Sequence, residues 1–69
     1  MYYYIINVLG RHGYSFMVKT DDIDDIDDVI CECANRGLFE NDVDADYAIA
    51  DDIVTPRDIE FFKNCTYEI

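Results

Sequence analysis

The first strand-forming run, residues 2 to 9, has no polar face. Extended, it points Tyr2, Tyr4, Ile6 and Val8 one way and Tyr3, Ile5, Asn7 and Leu9 the other, because successive side chains alternate across a strand. A strand apolar on both sides belongs inside a sheet, since at an edge it would leave apolar surface in water. That demand weighs heavily on a chain of 69 residues. Folding at this size buries only about 60% of the surface the unfolded chain exposes, which points to one small domain with no deep substrate cavity.

The neighbouring segments supply the partners this strand needs. Gly10, Arg11, His12 and Gly13 place two glycines around a short polar link and read as a hairpin turn. Tyr14 to Lys19 then returns with Tyr14, Phe16 and Val18 on one face and Ser15, Met17 and Lys19 on the other, a half-buried second strand. From Asp21 to Arg36 the apolar period changes from two to about 3.6. Ile23, Ile26, Val29, Ile30, Cys33 and Ala34 share one arc of a helical wheel, and Asp21, Asp24, Asp25, Asp28 and Glu32 share the opposite one. Thr20 or Asp21 is the expected N-cap, and Arg36 with Gly37 the stop. Leu38 and Phe39 should then turn back onto the core.

Alternation resumes at 42 to 49, with Asp42, Asp44, Asp46 and Ala48 on one face and Val43, Ala45, Tyr47 and Ile49 on the other. A third strand is expected to begin in this run, more securely in its second half because Asp is a poor strand residue. Thr55, Pro56 and Asp58 provide an N-cap, an N1 proline and an acid at N3, marking a short helix from Pro56 to about Asn64 that buries Ile59 and Phe62. Tyr67 and Ile69 either add a last strand or simply pack. The expected fold class is α+β: a small antiparallel sheet, made of an N-terminal hairpin plus a third strand, packed by one amphipathic helix, with a short second helix near the C-terminus.

Charge narrows the function. Sixteen Asp and Glu face five Lys and Arg, a net charge of −11, so the chain lacks the clustered cations that phosphate neutralisation requires. Direct nucleic-acid binding is excluded on that ground. Disorder does not follow, because 51% of residues are hydrophobic and 14% aromatic, unlike the usual composition of an acidic disordered chain. The start carries no basic n-region, no apolar run approaches the ~18 residues of a membrane helix, and an acidic surface is repelled by anionic lipid. Cys31, Cys33 and Cys65 are an odd set without a disulfide framework. A soluble protein of a reducing cytoplasm is expected, with no membrane association.

Several chemistries can be weighed and set aside. Asp42, Asp44 and Asp46 stand at positions 1, 3 and 5 of a calcium-loop pattern, but Tyr47 replaces the glycine at position 6 and Ile53 the glutamate at position 12. Cys31 and Cys33 lie two apart on a helix, pointing ~200° from each other, so they cannot share one zinc with His12. Cys33 belongs to the apolar arc and Cys31 to the polar side. His12 and Ser15 are the sole histidine and serine, too close along extended chain to form a nucleophile and its base. No metal, cofactor or enzymatic activity is expected.

What remains is the acidic array. An ordinary exposed helix mixes cations with acids to gain ~0.2 to 0.5 kcal/mol per i,i+4 pair. Here Asp21 meets Asp25, Asp24 meets Asp28 and Asp28 meets Glu32; only Glu32 with Arg36 has the favourable sign. Asp42, Asp44 and Asp46 would form a second row on a strand at ~6.6 Å intervals. Regular negative charges on rigid elements imitate a phosphate backbone, which a basic nucleic-acid groove could accept in place of DNA or RNA. In size, acidity and lack of catalytic equipment the chain resembles the small inhibitors that phages and plasmids direct against restriction or CRISPR nucleases, some of which imitate DNA. That resemblance covers composition and charge layout. It implies a stoichiometric inhibitor of a basic nucleic-acid-binding protein, contacting it through Asp21, Asp24, Asp25, Asp28, Glu32, Asp42, Asp44 and Asp46. The alternative is a regulatory or assembly module that binds a partner, or itself as a homodimer, through a surface formed by Tyr2, Tyr3, Tyr4 and Tyr14, with the acids serving solubility.

Overall fold

A computed structural model describes all 69 residues. The two-faced segment becomes strand β1, Tyr2–Val8, paired antiparallel with β2, Tyr14–Thr20, on one side and with β3, Ala48–Asp51, on the other. The final strand β4, Thr66–Glu68, joins β2 in parallel, so the order is β3-β1-β2-β4. The hairpin and third strand are antiparallel as expected, and the tail makes the sheet mixed. Both fully apolar demands of β1 are met by its central position. The turn relies on Gly13, where a Cβ would stand 2.5 Å from the Val8 carbonyl oxygen.

Helix α1 spans Ile26–Asn35 and sends Val29 and Cys33 into a core with Tyr4, Ile6, Phe16, Val18 and Ala50. It begins later than the apolar period implies. The N-cap is Asp25, whose carboxylate accepts from the backbone N–H groups of Asp27 and Asp28. Asp is among the best capping residues, and Tyr4 donates its hydroxyl to the Ile23 carbonyl at 3.0 Å, fixing the preceding segment against β1. Starting here also removes Asp21 and Asp24 from the helix and so relieves two of the three repulsive pairs. The stop is as expected: Gly37, at φ +70°, lets the Leu38 N–H reach the Cys33 carbonyl.

A larger departure follows. Residues Asp42–Tyr47 form a 3-10 helix, η1, and the strand starts only at Ala48. Local carboxylates compete with the sheet for backbone donors: Asp44 accepts from the Asn41 N–H, while the Asp44 N–H reaches the Asn41 carbonyl. The hydroxyl of Tyr14 locks this turn by donating to Asp44 at 2.6 Å and accepting from the Glu40 N–H at 2.8 Å.

Helix α2, Pro56–Phe61, opens with the expected box: Thr55 Oγ1 accepts from the Asp58 N–H and Asp58 accepts from the Thr55 N–H. It is shorter than expected. Phe62 closes it, half-buried, whereas Ile59 remains 37% exposed. Strands β2, β3 and β4 all run the same way, so the α1 connection from β2 to β3 and the α2 connection from β3 to β4 move in opposite directions across the sheet. Right-handed crossovers then assign the two helices to opposite faces. Met17, whose side chain lies opposite the α1 core, is fully buried, consistent with that cover.

Candidate functional site

The eight expected acids do not form one array. Asp21 and Asp24 lie in the extended approach to α1, Asp25 caps it, and Asp28 and Glu32 are on it. Asp42, Asp44 and Asp46 lie on η1. At 3.0 residues per turn, a step of two residues rotates ~240°, so these three side chains fan around the axis in place of a single strand face. The expected second row is therefore corrected to a dispersed turn, and Asp44 is half-buried in its bond to Tyr14.

The two groups also occupy different ends of the sheet. Asp24 sits near Tyr4, toward the start of β1, whereas η1 leans on Tyr14, which pairs with Val8 at its end. Tyr4 and Val8 are about 13 Å apart along the strand. Helix α1, which carries Asp28 and Glu32, packs against both β3 and η1. Three of the eight carboxylates have structural partners: Asp25 in its cap, Glu32 with Arg36 Nε at 2.7 Å, and Asp44 with Tyr14. Asp21, Asp24, Asp28, Asp42 and Asp46 are free of side-chain hydrogen bonds and ion pairs, and all are exposed.

One carboxylate escaped the sequence reading. Asp52 follows β3, where Asp51 pairs with Ile5, and this register brings it beside Tyr4 and Asp24. The Asp51-Asp52 pair was visible in the chain; its neighbours depend on the antiparallel return of β3. Together these segments line a surface cleft of about 340 Å³ whose walls include Tyr2, Tyr3, Tyr4, Asp24, Asp52 and Val54. The field is negative there. Burial raises the Tyr4 phenol above its ordinary 10.0, and the charges of Asp24 and then Asp52 push it the same way.

Comparison with protein-family models, curated sequences and solved structures finds no match. The site must be read from its own chemistry. Only three ion pairs occur in the molecule, Lys19–Glu68, Glu32–Arg36 and Glu60–Lys63, leaving most carboxylates without a cation. No three His, Cys, Asp or Glu side chains converge in a metal-holding group. No helix is long and apolar enough to cross a membrane.

The four tyrosines differ in exposure. Tyr4 is buried, Tyr3 and Tyr14 are half-buried, and Tyr2 is 48% exposed. Bare apolar surface lies elsewhere, chiefly at Phe61, 80% exposed, and Ile53, 77% exposed. Cys33 is buried in the core and Cys31 and Cys65 are exposed. Ser15 donates to Asn7 Oδ1 at 2.6 Å across the hairpin, and His12 is exposed in the turn.

Proposed function

We propose that this protein binds a basic, nucleic-acid-binding protein stoichiometrically and blocks its nucleic-acid groove, in the manner of phage or plasmid inhibitors of restriction or CRISPR nucleases. The observation that carries this reading is the uncompensated acidic end of the molecule, where Asp24 from the approach to α1 and Asp52 after β3 line one cleft beside Tyr4, Asp25 adds to the negative field there, and Asp28 follows in the first turn of α1. Such a surface releases the groove's counterions as a phosphate chain would. The η1 acids act as a separate, weaker contact.

The test is inhibition of DNA cleavage by a panel of restriction and CRISPR nucleases with increasing amounts of the protein, at low and high salt. Inhibition should saturate near one equivalent and weaken with salt. Replacing Asp21, Asp24 and Asp28 by Asn removes three rim charges of about 0.5 kcal/mol each, or about tenfold in affinity. Equal potency of that variant, or an absence of effect on every nuclease, overturns the proposal.

The exposure of Phe61 and Ile53 favours a second reading, a module that recruits a partner or a second copy through exposed apolar side chains. Light scattering at two salt concentrations separates the readings. A salt-insensitive dimer supports the second.

A further inference from the structure

We propose that the cleft between β1 and the end of β3 is a receptor for a single arginine side chain presented by a protein partner. Its construction suits a guanidinium in three ways. The volume of about 340 Å³ lies at the small end of ligand sites. Tyr2, 48% exposed, offers an open aromatic ring at its wall, and a guanidinium stacks on aromatic faces better than a compact, strongly hydrated ammonium does. Asp24 and Asp52 bring two carboxylates from segments far apart in sequence, and neither has an ion pair or a side-chain hydrogen bond of its own. The field that opposes ionisation of the Tyr4 phenol favours a cation placed beside it.

The arginine source rests on the basic-partner reading given above; the cleft itself can be tested without any partner. N-acetyl-arginine methylamide is titrated into the isotopically labelled protein, following backbone amide shifts. Saturable shifts should be confined to Tyr2, Tyr3, Asp24, Asp52 and Val54. The variant carrying Asp24→Asn and Asp52→Asn should bind at least about fivefold more weakly, and Tyr2→Leu should also weaken binding, whereas Asp42→Asn with Asp46→Asn at the other end should leave it unchanged. The spectra of the variants report directly that they remain folded. N-acetyl-lysine methylamide, of equal charge but without a planar guanidinium, should bind more weakly. Shifts that spread over all the acids without saturating, binding unaltered in the Asp24/Asp52 variant, or the lysine analogue binding as well as the arginine one would each overturn the proposal. Failure here leaves nuclease inhibition unaffected. Failure of nuclease inhibition with a functional cleft rejects the groove-blocking reading alone.

Discussion

Raising the pH above 9 should destabilise the protein through one core side chain. Cys33 has no exposed surface and packs among Tyr4, Ile6 and Val29. Burial pushes its thiol from the ordinary 9.0 up to about 11, with Glu32 acting in the same direction and Arg36 against it. In the unfolded chain the thiol ionises near its ordinary value. Between the two values the unfolded state therefore binds fewer protons, and stability, complete below pH 9, falls as the pH rises toward 11. Each pH unit is worth about 1.4 kcal/mol, giving a loss of about 3 kcal/mol over the interval. A chain of this size holds only about 3 to 10 kcal/mol in total. Urea unfolding followed by circular dichroism under reducing conditions at pH 8, 9 and 10 measures the decline. Cys33→Ala provides the control, because exposed Cys31 and Cys65 remain in both proteins and the difference between the curves isolates the buried thiol. The variant starts less stable, by about 1 kcal/mol for the lost packing, but its stability should fall less steeply between pH 8.5 and 10. Parallel declines would refute the reasoning. Beyond pH 10 both proteins should lose stability faster, since the Tyr4 and Tyr14 phenols are also raised above 10.0, mainly by burial.

Four other outcomes are expected. Asp25→Ala removes the cap that serves the Asp27 and Asp28 N–H groups and should cost about 1 kcal/mol, seen as a melting temperature lower by about 4 to 8 °C. Tyr14→Phe and Asp44→Asn, combined in a double-mutant cycle by urea unfolding, should show about 1 to 2 kcal/mol of coupling from their 2.6 Å bond. Gly13→Ala should destabilise by about 1 to 3 kcal/mol, because its methyl would meet the Val8 carbonyl oxygen at 2.5 Å, again measured in urea. Sodium chloride should raise the melting temperature by screening a net charge of −11 while weakening nuclease inhibition, so the two salt responses have opposite signs.

Apolar pattern made much of the fold legible. The two-faced run at residues 2 to 9 indicated a central strand, the glycines at 10 and 13 a hairpin, and Thr55 with Asp58 a capping box, each a local relation fully contained in a few residues. Periodicity misplaced the start of α1 because Ile23 satisfies the helical wheel while its carbonyl is held by Tyr4, a contact across 19 positions. It misread Asp42–Tyr47 for a related reason. Alternating Asp is compatible with an extended face, but Tyr14 supplies a hydroxyl from a different strand that stabilises the tighter turn. Of the acidic surface, the approach to α1 was visible as charge; Asp52 joins it only once the register of β3 on β1 is known.

The parallel pairing of β4 has a consequence for how the molecule opens. To reach β2 the chain must cross the whole sheet from β3 on the opposite edge, and its ties there are brief: the Met17 N–H to the Cys65 carbonyl, the Ile69 N–H to the Lys19 carbonyl, and a three-residue ladder between them. Such a segment docks late and detaches early, so its amides should exchange with deuterium ahead of those joining β1 to β2. When it lifts, the edge-to-face contact of Tyr67 with Phe16 is lost, and the outer rim of β2 is bared as a template for a foreign strand.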